Sequence, residues 1–254
     1  MLSILNAFIK RPSIISVIAI LAALTVWQLL VWCLNIPDYI VSSPLAIAQY
    51  FQEHFSMILS NTAITLLEAV AGIIFATLAA IIIGAIALRS MILAKATYSI
   101  LLTLQLIPLL AVAPLVIVWL GFGIDGKIFI VFIFGLFPIL VAFLHGCLNV
   151  DPSIMALFKC LGVSKTRLFF YVILPQGAAE LFTGLKLAVT YCVGSAVAAE
   201  YLGGAGGLGI LITRALSSFN TAGVYCASLV VILATLTLYG IITWLEKRCL
   251  RWRH

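Results

Sequence analysis

The sequence predicts an all-α integral membrane protein, and three observations carry that prediction. Of its 254 residues, 65% are apolar and 9% charged, against about 25% charged in a soluble domain. The mean hydropathy of +1.28 leaves too little polar side chain to cover a water-exposed surface. Six continuous apolar runs, 14–34, 61–88, 97–120, 127–148, 176–202 and 222–245, each reach the roughly 20 residues a helix needs to cross hydrocarbon. Because the runs do not alternate apolar with polar, a β-barrel is excluded. So are an ordinary cytosolic enzyme, a disordered chain and a nucleic-acid binder with a solvated basic patch.

Taken in order, the first run follows Lys10 and Arg11, as a signal peptide would. It is too long for an h-region, and no small-x-small cleavage site precedes Asn35, which predicts a retained first helix. In segment 35–60, Ser43-Pro44 has the form of an N-cap and first helical residue. Ala46, Ile47, Tyr50, Phe51 and Phe55 follow at helical spacing. The segment is either a short helix lying at the outer interface or a linker packed on the bundle. Residues 1–60 thus form an N-terminal part, 61–245 the core, and 246–254 a basic tail.

The second run carries Glu68 above small residues at every fourth position, Gly72, Ala76, Ala80 and Gly84. Glu200, near the end of the fifth run, sits on a similar series: Ala196, Cys192, Ala188 and Gly184. Small residues at that spacing admit another helix at close range, so both acids face protein. A charge inside a span costs about 2.5–3.5 kcal/mol on insertion scales, which makes both functional candidates. They either line the outer half of a transport pathway or serve as structural carboxylates capped by backbone and hydroxyl donors. Lys127, Glu180 and Lys186 lie near span ends, where side chains snorkel to the interface. Pro108, Pro114 and Pro138 bend spans three and four, whether as rocking joints or as static kinks. Thr103 and Gln105, on the inner side of those bends, are candidate substrate contacts.

With the N-terminus cytoplasmic, inner segments and termini hold eleven of the fourteen lysines and arginines. The positive-inside tendency therefore places both termini inside. Lys247, Arg248, Arg251 and Arg253, with Trp244 and Trp252, have the character of an anchor to anionic lipid rather than a nucleic-acid site. Several chemical motifs are empty. Gly121-x4-Gly126-Lys127 imitates a phosphate loop, but Ile128 stands where a Mg²⁺-binding hydroxyl is needed. The six cysteines and three histidines lack metal-site spacing, so neither a metal nor another cofactor is expected, and no catalytic residue is assigned.

Residues 149–175 are more than a connector needs. Asp151-Pro152 opens a helix, Leu161-Gly162-Val163-Ser164 breaks it, and Pro175 ends the segment after a second helical stretch. Here the sequence resembles the inner-membrane permease subunits of bacterial ATP-binding-cassette (ABC) importers. Their pattern is EAA, three residues, Gly, nine residues, then I-x-L-P; Gly162 precedes Val172-Ile173-Leu174-Pro175 at that spacing, while Ala156-Leu157-Phe158 replaces EAA. Gln105-Leu106-Ile107-Pro108, Trp119-Leu120-Gly121-Phe122-Gly123, Gly184 to Val189 and Ala199 to Gly209 extend the likeness. They are similar to the importers of nitrate, sulfonate, taurine and thiamine-precursor pyrimidines.

That resemblance implies a six-helix permease bundle with a cytoplasmic coupling-helix loop, in a bacterial inner membrane. Ala156, Lys159, Leu161, Gly162, Val163, Ser164 and Pro175 would then belong to the surface that meets a separate ATPase subunit. A solute-binding protein would deliver substrate on the opposite side. One loop per chain, where the machine uses two, implies a homodimer. Two acids in a pathway would repel an anion and suit a neutral or weakly basic heterocycle, which favours a thiamine-precursor pyrimidine over taurine, alkanesulfonate or nitrate. A proton-coupled secondary transporter is the alternative of another class, but no two halves align as its internal repeats require.

Overall fold

The computed structural model describes residues 12–250; the expected cations at Lys10, Arg11, Arg251 and Arg253 lie outside that range, as does Trp252. The described residues are helical apart from turns and short connections. The helices are α1 (Pro12–Cys33), α2 (Pro44–Glu53), α3 (Phe55–Ala87), α4 (Met91–Leu104), α5 (Leu109–Leu120), α6 (Ile124–Leu148), α7 (Pro152–Cys160) and α8 (Lys165–Leu168). A π-helical turn, Phe169–Ile173, leads into α9 (Leu174–Tyr201), followed by α10 (Leu208–Ser217) and α11 (Thr221–Cys249). Four helical bodies are long and apolar enough to cross a membrane: Phe55–Ala87, Ile124–Leu148, Thr166–Tyr201 and Thr221–Cys249. The expected six spans are therefore not six unbroken helices.

Contacts divide the chain into two compact units. The first comprises the chain up to Leu59 together with Leu211–Leu229. Within it, the Ser43 side chain accepts a hydrogen bond from the Ala46 N–H at 3.2 Å, with Pro44 at the first helical position. That is the cap expected from Ser-Pro. Ile47 is buried, Trp27 meets Tyr225 edge-to-face at 5.5 Å, and the hydroxyls of Ser42 and Thr221 lie 2.5 Å apart.

The second unit comprises Ser60–Ile210 and the chain from Val230 onward. Its core is the interlocking of α3, α6 and α9. Ala76 and Ala80 of α3 are buried, as are Gly184, Ala188, Cys192 and Ala196 of α9, so both small-residue stripes face protein. The approach involves backbone itself at Gly184, where an added Cβ would stand 2.8 Å from the Pro138 carbonyl oxygen and 2.9 Å from the Ile139 Cα. Only glycine lets α9 and α6 meet backbone to backbone there. On the opposite side of α3, Ile74, Phe75, Leu78 and Ile82 are exposed. Apolar residues on that face suit contact with lipid tails.

Two departures from the expected spans have local causes. The run 97–120 is two helices, because the chain leaves the helical path at Ile107 and Pro108. Pro108 is extended (φ −68°, ψ 132°) at the N-cap of α5, so it separates two helices instead of bending one. Pro114 and Pro138, in contrast, lie inside α5 and α6. The fifth run starts earlier than expected: helix is continuous from Thr166, through the π turn, to Tyr201. Pro175 has no N–H, and the turn before it widens so that the Leu174 N–H reaches the Phe169 carbonyl, five residues back. The second half of the 149–175 segment is thus the first turns of a spanning helix. The helix α11 runs through Glu246, Lys247 and Arg248, the first residues of the basic tail.

Candidate functional site

Three features of the second unit bear on function, and each is assembled from separate helices. The first is a cavity of about 330 Å³ at the break between α4 and α5. Gln105 and Ile107 of the break line it, with Phe134, Phe137 and Pro138 from α6 and Leu187, Tyr191 and Ser195 from α9. Positions 187, 191 and 195 recur every four residues, so one face of α9 forms a wall. Irregular backbone at membrane depth is tolerated where it lines a cavity, which gives the interruption before Pro108 a reason. The lining is mostly apolar and aromatic, with one amide and two hydroxyls; among the described lining residues, none is charged. Of the two expected substrate contacts, Gln105 reaches this cavity. Thr103 is not among the lining residues, and its hydroxyl donates to the Ser99 carbonyl of its own helix at 3.2 Å.

The second feature is a buried polar cluster where α9 ends. Glu68 and Glu200 are each 1% exposed and Lys127 5%. Lys127 Nζ donates to Glu68 Oε1 at 3.0 Å and to the Gly206 carbonyl at 3.3 Å. Thr65 Oγ1 donates to Glu200 Oε1 at 2.7 Å, and the Gly209 N–H donates to Glu200 Oε2 at 2.5 Å. The same Thr65 oxygen accepts the Leu208 N–H, and Asn61 Oδ1 accepts the Gly207 N–H. Residues 203–209 are thereby tied to α3, α6 and α9 by side chains. Gly207, at φ +119°, would place a Cβ 2.0 Å from Glu200 Oε1, so the loop closes over the carboxylate only with glycine.

This geometry corrects the expectation that Lys127 snorkels to the interface. Its ammonium turns inward instead, donating to Glu68 Oε1 and the Gly206 carbonyl, which together replace part of the hydration it gives up. The Lys186 ammonium likewise pairs with Glu246. Glu200 has the backbone and hydroxyl donors that the capped-carboxylate reading requires. Sequence reasoning missed Lys127, Thr65 and Asn61 as partners, although three in-span charges at one end of the chain's spans were a usable signal.

The third feature is the loop before α9. Asp151 Oδ1 accepts the Ser153 N–H at 2.8 Å and caps α7, Gly162 turns at φ +67°, and Ser164 Oγ accepts the Arg167 N–H at 3.4 Å. Ile154, Leu157 and Leu161, at helical spacing, are all exposed, and so are Ala156, Gly162 and Ser164, while Val163 is half-buried. Lys159 and Pro175 belong to α7 and α9 respectively.

A family described as the binding-protein-dependent transport system inner membrane component matches residues 72–251. The chain belongs to that family. A probable ABC transporter permease protein of Haemophilus influenzae is 31% identical over 225 residues, covering 89% of this chain and 92% of that protein. The formylaminopyrimidine transport permease protein ThiX of Halalkalibacterium halodurans is 31% identical over 63% of this chain and 64% of its own length. The riboflavin transport system permease protein RibX of Chloroflexus aurantiacus is 29% identical over 92% of this chain and 88% of its own. Among solved structures, an amino acid ABC transporter crystallised with histidines superposes with a TM-score of 0.65 at 16% identity, covering 79% of this chain and 97% of that one. The fold is that of an ABC permease, and the chain is a multi-pass membrane transport component.

Proposed function

We propose that this permease subunit passes an uncharged or weakly basic heterocycle of pyrimidine size across a bacterial inner membrane, driven by a separate ATPase. The cavity at the α4–α5 break carries the proposal. Phe134, Phe137 and Tyr191 offer aromatic faces, while Gln105, Tyr191 and Ser195 supply donors and acceptors at its wall. A sulfonate or nitrate would ask for a cation there, and the described lining has none. The names of the ThiX and RibX relatives, both heterocycle permeases, support the same reading. Glu68 no longer contributes to it, because its side chain is buried in the cluster with Lys127 and is not among the residues lining the cavity.

Around that pathway, α7 and the Leu161–Ser164 turn act as the coupling surface for the ATPase, with exposed apolar residues suited to a groove on that partner. The loop 203–209 faces the other side, where a solute-binding protein docks. Arg89, Lys95 and Arg167 near the α7 end, with Lys247 and Arg248, support cytoplasmic termini. Arg248 lies over the Trp244 ring at 5.0 Å, an arrangement that suits an interfacial anchor. Two copies complete the pathway. The deciding experiment is mass spectrometry of the ligand carried by the solute-binding protein that co-purifies with the chain. A pyrimidine or related uncharged heterocycle is expected; an alkanesulfonate or nitrate overturns the proposal. Tyr191→Ala should then lower uptake of that ligand by about tenfold, the worth of one aromatic contact.

A further inference from the structure

We propose that Glu68 and Glu200 together bind a single proton, held on Glu68, and that this proton completes the polar cluster pinning residues 203–209. The two carboxylates are not equivalent. Both oxygens of Glu200 accept donors, Oε1 from the Thr65 hydroxyl and Oε2 from the Gly209 N–H. That is the coordination of an ionised carboxylate. Glu68 has one oxygen on the Lys127 ammonium, and its Oε2 is buried with no donor. A bare carboxylate oxygen sealed from water is costly, and a native interior rarely leaves one.

Among the described residues, no further cation satisfies that oxygen. Glu200 of α9 is a neighbouring acid in the same cluster, Lys127 of α6 is already shared with the Gly206 carbonyl, and Thr65 and Asn61 of α3 are turned to residues 208 and 207. Tyr201, next in sequence to Glu200, adds no positive charge. Two ionised carboxylates in this position would repel each other and leave the cluster with a net negative charge in a low-dielectric interior. One proton on Glu68 Oε2 resolves every mismatch. The orphaned acceptor becomes a donor to Glu200, Lys127 is balanced by one carboxylate, and the cluster is neutral. A carboxylic acid kept neutral so that it can donate is a known use of a buried site.

This proton is a fixed ligand of the fold, and the inference does not depend on which solute is transported. It also distinguishes the acids experimentally. Glutamine at 68 reproduces the protonated acid, with its oxygen toward Lys127 and its amide toward Glu200. Glutamine at 200 does not, because it removes the ionised carboxylate that balances Lys127.

The test is infrared difference spectroscopy of the full-length chain in detergent at neutral pH. Wild type minus Glu68→Gln should show the carbonyl stretch of one protonated carboxyl group, shifted in deuterium oxide. Wild type minus Glu53→Gln, an exposed acid, should show none. Thermal unfolding should find Glu68→Gln as stable as wild type and Glu200→Gln less stable. No carboxylic band in the wild type, a band that survives in Glu68→Gln, or a Glu68→Gln chain that fails to fold each overturns the proposal.

Discussion

The two ends of the Thr166–Tyr201 helix handle polarity in opposite ways. Beyond Tyr201, Lys127, Glu68 and Glu200 are withdrawn from solvent and tied to one another or to the 203–209 backbone. Before Thr166, apolar Ile154, Leu157 and Leu161 stand exposed on a short helix with an ordinary aspartate cap. Charges that a chain buries must be completed by the chain itself, since the interior supplies no water. Apolar residues held out on a rigid turn are completed by something else. The first end is therefore internal architecture, and the second is the surface proposed to meet a partner.

Removing the only cation described in the buried cluster is the strongest way to break that contrast. Lys127→Met leaves buried carboxylate charge uncompensated, and breaking a buried pair from one side costs about 3–5 kcal/mol. Thermal unfolding in detergent should show a large drop. A stability near wild type would mean that water reaches the cluster, and the two ends would then differ less than the burial of Glu68 and Glu200 implies.

A smaller loss is expected from the helix interlock that places the cluster. In Gly184→Val the new Cβ meets the Pro138 carbonyl and Ile139 Cα, atoms of a helix backbone that cannot swing aside. Overpacking of this kind costs about 1–3 kcal/mol. The same thermal measurement checks it, and a larger loss than for Lys127→Met would move the origin of stability from the charges to the packing.

How much of this was legible in the sequence follows from what each signal depends on. The long helices were readable because membrane burial demands continuous apolar runs, and the Gly184 to Glu200 stripe because helix contact demands small residues at helical spacing. The break before Pro108 was not, since apolar residues continue through Leu106 and Ile107 and hydropathy cannot see a change of backbone path. The start of the Thr166–Tyr201 helix was hidden for the converse reason: Pro175 reads as a stop, and a π turn absorbs it. Phe134, Phe137 and Tyr191 were invisible as cavity walls because an aromatic residue facing a cavity and one facing lipid share the same sequence pattern. The Lys127–Glu68 pair joins residues 59 positions apart, which no local spacing records.

A charge pair in a wetter setting gives the contrast an internal control. Lys186 and Glu246 pair with side chains 23% and 16% exposed, so water and salt screen them as they do not screen Lys127. Lys186→Met should cost about 1 kcal/mol or less, within the range for partly solvated pairs. Comparing the Lys127 and Lys186 losses shows how much more the fold depends on a lysine held in a buried cluster than on one in a partly solvated pair.

The least disturbance of the fold should come from the exposed end, and it should carry the greatest disturbance of transport. Leu161 is 67% exposed, beside the Gly162 turn. Replacing it with aspartate removes almost no buried area, and exposed substitutions of this kind usually stay within about 0.5 kcal/mol. Its proposed role lies in an interface where an apolar side chain is desolvated by the ATPase, and a carboxylate there would have to be buried unpaired. Leu161→Asp should therefore melt with the wild-type chain, yet lose co-purifying ATPase and substrate-stimulated ATP hydrolysis. A variant that keeps both would mean that the exposed apolar row is not where the ATPase binds. A variant that melts early would instead place Leu161 with the buried cluster, as part of what holds the chain together.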